Sequence, residues 1–197
     1  MSIDIDTLTL NSGRLIREDN SVINIANSID HTGGIYTTDE LTHAVHKGVA
    51  YSYASDGSVA ALSSLYFLGT TGAKQVHFQL FSGDFQKGGI RISLYEAPTT
   101  TADGTAQIPV NMNFVSTNVA TLLLFSAPTV TSNGTLKAAR FLPLTGVGVN
   151  TASANGDIAG GRVLKANTKY LFRLENTDAT ACTFGINFAW IEEDVIL

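Results

Sequence analysis

The chain has 197 residues, enough for one domain with a good core and a short appendage. Charged residues make up only 15%, and Thr, Ser, Asn and Gly occupy the surface in their place. The net charge of −5 and the lack of any Lys/Arg-rich run disfavour nucleic acid as a partner. The single cysteine, Cys182, rules out a disulfide within the chain.

The first six residues are acidic and hold no apolar core, so no cleaved signal is expected. No apolar run is long enough to span a bilayer, and no membrane partner is expected. Residues 1–45 differ from the rest. Leu8 to Arg17 reads as a short strand, turn and strand, and Asn20 to Asn27 alternates. Thr38 to Val45 reads as one helical turn capped by Thr38. Large apolar residues are sparse here, and the segment is read as an extended arm lying on a neighbour. Its contact residues would be Leu8, Leu10, Leu15 and Ile16.

From residue 46 the pattern is that of β-structure. Val49 to Ala54 alternates, and Val59 to Leu68 is longer and more apolar. In Lys74 to Phe81 the period of two puts Val76, Phe78 and Leu80 on one face, with His77, Gln79 and Phe81 on the other. Gly83 to Gly89 reads as a turn. Ile90, Ile92 and Leu94 then share a face opposite Arg91, Ser93 and Tyr95.

Two copies of one pattern follow. Ala97-Pro98-Thr99-Thr100-Thr101-Ala102-Asp103-Gly104-Thr105 is matched by Ala127-Pro128-Thr129-Val130-Thr131-Ser132-Asn133-Gly134-Thr135. Proline marks where strand pairing stops, and Asp-Gly or Asn-Gly suits a tight turn with positive φ. In each copy, then, the chain leaves the sheet, turns and returns. Between the copies, Met112 to Val115 and Val119 to Phe125 read as strands.

Leu144 to Arg162 is rich in Gly, Asn, Ala and Ser and reads as an adaptable loop, with Gly148, Asn150 and Asn155 as candidate contacts to a partner. Tyr170 to Leu174 reads as a strand, and Thr177 to Ala179 as a hairpin turn. Cys182, Phe184, Ile186, Phe188 and Trp190 give the strongest alternation in the chain and share one face. Cys182 among them reads as a buried, inert thiol. Glu192, Glu193 and Asp194 then separate this strand from an apolar tail.

About eight strands after residue 45, with no helix of ordinary length, predict an all-β fold. The expected form is an antiparallel β-sandwich of the jelly-roll kind over residues 46–197, behind the arm of residues 1–45. Nothing resembles a P-loop, a nucleophile elbow or a zinc-protease motif, so no enzyme activity and no cofactor are expected. His43 and His46 are spaced for a helical turn, but nothing completes a metal set.

The order of these pieces carries a resemblance. Val76-His77-Phe78, Glu96 to Thr105, Pro128 to Thr135, and Leu164-Lys165-Ala166-Asn167-Thr168-Lys169-Tyr170-Leu171-Phe172-Arg173-Leu174-Glu175-Asn176 together resemble accessory head proteins of tailed bacteriophages, of the capsid decoration or cement type. The likeness covers roughly His46 to Trp190 and is one of strand-and-turn grammar. It implies a structural virion protein made in the host cytoplasm. Such a protein binds the major capsid protein on the outer shell as a homo-oligomer, a trimer by expectation, and clamps neighbouring capsomers. The alternative is a receptor- or carbohydrate-binding head of a tail fibre or spike, because jelly rolls serve both roles.

Overall fold

The computed structural model describes residues 9–11, 14–16, 22–24, 40–86, 89–142, 151–155 and 162–193. Contacts group Met1–Glu40 apart from Leu41–Leu197.

In the first unit, β1 (Thr9–Asn11), β2 (Arg14–Ile16) and β3 (Val22–Asn24) form a small antiparallel sheet. Leu10 pairs with Leu15, and Leu15 with Ile23.

In the second unit, α1 (Glu40–Lys47) precedes the strands. The expected boundary at residue 45 falls inside this helix. Ala44 of α1 is buried with Ala50 and Ile191, and Leu41, Val45 and Met112 pack around them. Fourteen strands follow, against the eight expected: β4 (Ala50–Val59), β5 (Ser64–Thr70), β6 (Gln75–Gln86), β7 (Ile90–Glu96), β8 (Thr99–Ala102), β9 (Thr105–Gln107), β10 (Val110–Asn111), β11 (Leu123–Ser126), β12 (Thr129–Ser132), β13 (Thr135–Leu142), β14 (Thr151–Asn155), β15 (Arg162–Leu164), β16 (Lys169–Asn176) and β17 (Cys182–Glu193). The repeat copies and the glycine-rich stretch contribute most of the excess.

The strands make an antiparallel sandwich. One sheet runs β10-β4-β17-β6, with β14 and β15 side by side on the far edge of β6. The other runs β13-β7-β16-β5-β11-β9. Their facing sides close on one core. Cys182, Phe184, Ile186, Phe188 and Trp190 come from β17, as their spacing required, and Ile90, Ile92 and Leu94 from β7. Phe67, Tyr170, Phe172 and Leu174 fill between. The Phe172 and Phe188 rings lie 5.0 Å apart, and those of Phe78 and Phe172 5.3 Å, distances at which aromatic pairs add to simple burial.

Three local expectations are corrected. Alternation along β6 breaks at Gln79. Leu80 pairs with Ala189 but Phe78 with Trp190, so Gln79 has no opposite residue. This bulge re-phases the strand, and Phe85 joins Val76 and Phe78 in the core. Gly83 lies inside β6 and not in a turn, because the Phe85 ring fills the space a side chain would need: a Cβ there would sit 2.8 Å from Cε2. Thr177 to Ala179 is no hairpin turn, since β16 and β17 belong to different sheets. Asn176, buried, pins the crossing. Its amide donates to the carbonyls of Val59, Ala60 and Thr180, and its Oδ1 accepts from the Asp178 N–H.

The two repeat copies exchange partners. β9, which ends the first copy, pairs with β11, which leads into the second. β13, which ends the second, pairs with β7, which leads into the first. Thr105 faces Ser126 and Thr135 faces Glu96, while β8 and β12 pair with each other. The Ala97 N–H donates to the Lys169 carbonyl, and the Ala127 N–H to that of Tyr66. Ala97 and Ala127 both have positive φ, 57° and 52°. A local two-fold relation explains every one of these matches, and it centres on the Leu68–Leu171 pair of β5 and β16. Both leucines are fully buried on the side of the sheet away from the core.

Candidate interaction surface

The segment between β9 and β11 combines a fixed backbone with unburied apolar side chains. Met112 to Val119 was expected to hold strand residues, but β11 begins only at Leu123. Side chains take the backbone donors that a ladder needs. Asn111 Oδ1 accepts from the Asn113 N–H at 2.9 Å, Asn113 Oδ1 from the Val115 N–H at 3.1 Å, and Ser116 Oγ from the Asn118 N–H at 3.2 Å. Successive Asx-type turns therefore replace the strand.

Outside bonds then hold this loop in place. The amides of Asn111 and Asn118 both donate to the Gly48 carbonyl just after α1, and Asn113 donates to the His46 carbonyl. The Tyr51 hydroxyl donates to the Val119 carbonyl at 3.1 Å. Glu192 closes the far end. Its carboxylate accepts from the Thr121 N–H at 2.7 Å, the Thr121 hydroxyl at 2.6 Å, the Leu122 N–H at 2.9 Å and the Trp190 indole at 3.1 Å. Sequence placed Glu192 among three acids beyond the last strand, separating it from an apolar tail. It is instead buried inside β17, on the core side beside Trp190. The Glu192 charge, after burial itself, holds the Tyr51 hydroxyl above its ordinary pKa.

The result is a rigid platform that presents apolar groups to solvent. Ile108 is 86% exposed, Phe114 88%, Val115 91% and Val119 81%. Ile108, Pro109, Val119 and Leu123 line a groove of about 230 Å³ beside them, with Tyr51 among its walls. Between Asp103 and Lys137 the sequence holds no charged residue and no histidine. That gap is the signal that could have marked this surface.

A second, polar groove of about 320 Å³ crosses the outer side of the β4-β17-β6 sheet. Gly185 forms its floor and pairs with Asp56 on one side and Asp84 on the other. Ser55, Ser82 and Asn187 add polar groups to the lining.

The contacts expected from sequence are scattered by comparison. Leu10, Leu15 and Ile16 lie in the small first sheet, and Leu8, Gly148 and Asn150 fall outside the described residues. Asn155 is in a strand, not a loop: β14 pairs with β6, with Asn155 opposite Ser82. Cys182 is buried as expected. Among the described residues no three His, Cys, Asp or Glu side chains gather as a metal set. No helix among them is long and apolar enough to cross a membrane.

The fold and this surface define the class as an all-β sandwich with an exposed apolar edge. No protein-family model matches the chain, and no curated protein is similar enough to count as a relative.

Proposed function

We propose that this is a structural virion protein that binds the outside of a phage capsid and clamps neighbouring capsomers. The observation that carries the reading is the rigid platform that leaves Phe114 and Val115 almost wholly exposed in a stretch without charge. Such a surface suits burial against protein. The resemblance of the repeat and of Leu164 to Asn176 to decoration proteins supports the same reading. The antiparallel sandwich is compatible with it and equally with the second reading below.

Function in this reading is contact area. A standard interface buries on the order of 1,600 Å², and the symmetry of a shell multiplies it. The protein acts as a homo-oligomer, a trimer in this reading, and residues 1–39 serve as an arm that reaches the major capsid protein. Purified protein mixed with undecorated particles should bind in hundreds of copies and raise their resistance to heat. Removing residues 1–39, which spares α1, should abolish that binding. Absence of binding by the full chain overturns the reading; normal decoration by the shortened chain overturns the arm.

The polar groove over Gly185 favours a second reading, a receptor- or carbohydrate-binding head. Carboxylates and an amide beside an open floor can bond sugar hydroxyls. Saturable binding on a glycan array, lost in Asp56→Ala, would select it.

A further inference from the structure

We propose that the apolar edge made by β9, β10 and the loop to β11 is where a second copy of this chain docks. Phe114 of one copy fills the groove of the next. The inference deepens the homo-oligomer part of the reading above and names its surface.

Three observations converge on a second copy. First, the exposed apolar groups are displayed by a built backbone and are not a frayed segment. Four asparagine- and tyrosine-mediated bonds and the Glu192 carboxylate hold the loop, yet Ile108, Phe114, Val115 and Val119 stay in solvent. Isolated proteins rarely keep such a set together uncovered. Second, the charge pattern suits self-contact. The chain carries a net −5, so two copies repel except where charge is absent. Near a symmetry axis each side chain meets its own counterpart, and any charge there would face its like. The stretch between Asp103 and Lys137 has none of its own; the exposed His46 and Lys47 at the end of α1 are the ionisable groups next to the loop's anchor points.

Third, both sheets end at this edge in very short strands. Among the described residues β9 pairs only with β11, and β10 only with β4. Open edges are ordinarily blunted by lysines or inward charges, and here Pro109 is the one guard between them. Phe114 is exposed on the loop from β10 to β11, and Val119 of that same loop lines the groove with Ile108 and Leu123. A knob and a groove carried by one short stretch of chain let identical copies satisfy each other in a closed pair or ring.

Sedimentation velocity and mass photometry of the full chain provide the test, with Phe114→Asp and Val115→Asp as variants and Leu62→Asp as control. Leu62 is also exposed but lies outside this edge. The wild type and the control should be oligomeric. Each edge variant should associate at least roughly 30-fold more weakly, with an unchanged circular dichroism spectrum and urea midpoint. A wild type that stays monomeric at about 100 µM overturns the proposal, as does an edge variant that associates normally. Particle binding by the same proteins separates the two readings. Oligomers that depend on this edge but never bind capsids overturn the capsid reading alone. A wild type that decorates capsids without associating in solution, matched by Phe114→Asp, overturns the docking edge alone.

Discussion

Gly134 lies against the main-chain carbonyl of Glu96, so close that a Cβ there would collide with that oxygen. Gly104 stands in the same relation to the carbonyl of Ser126, 30 residues displaced in the repeat. Both glycines have positive φ, 82° and 94°. Each turn thus seals the point where the other copy leaves its sheet.

Gly134→Ala and Gly104→Ala should each destabilise the fold by at least about 2 kcal/mol, through the backbone clash and the left-handed φ together. Gly185→Ala is the control. A Cβ there meets nothing within 4 Å, so its midpoint should hold or rise slightly. Urea unfolding of the three variants gives the comparison. A Gly134→Ala protein as stable as wild type would mean that the copies are not interlocked in this way.

Glu192 gathers three donors from the distant Thr121–Leu122 and a fourth from Trp190 on its own strand, and removing it leaves all four without this acceptor. Glu192→Ala should cost of order 3 kcal/mol. Trp190 loses its indole partner in the same variant, so its fluorescence in the folded state should shift along with the midpoint. Phe114→Asp, at the other end of the loop, should leave both unchanged.

The Lys169 ammonium, with help from the Thr100 hydroxyl, holds the Asp103 carboxyl below its ordinary value. Because the folded value lies below the unfolded one, the stabilisation is complete above about pH 4 and is lost as pH falls through the lowered value. Lys169 is 37% exposed and Asp103 41%, so screening limits the effect to a few tenths of a kcal/mol. The second copy already carries the neutral Asn133 at this position. Asp103→Asn should therefore fold normally and flatten the loss of stability between about pH 5 and pH 3. Half-molar salt should shrink the difference between the two proteins at neutral pH.

Cys182 is buried at the start of β17, and burial raises its thiol pKa. A disulfide-exchange reagent should leave it untouched in the native protein. Its modification in urea should follow the global unfolding curve. Fast labelling without denaturant would mean that this end of β17 opens locally.

The all-β class, the inward face of β17, the burial of Cys182 and the punctuation of the two repeat copies could all be read from residue order. Each depends on neighbours one or two positions apart, where a period of two or a Pro and a Gly carry the information. Partner exchange between the copies could not be read, since β9 and β13 are equally able to pair with either β7 or β11 until the sheet that holds all four exists. The bulge at Gln79 was hidden for the same reason: an extra residue shows only against the strand opposite. The burial of Glu192 was hidden because three of its four donors come from Thr121 and Leu122, which only folding brings to it, and the loop that carries Phe114 is held at that end by those bonds. Local order therefore set which residues alternate and where strands stop. Long-range pairing, which no short window of sequence contains, decided which strands meet and which apolar groups were left in water.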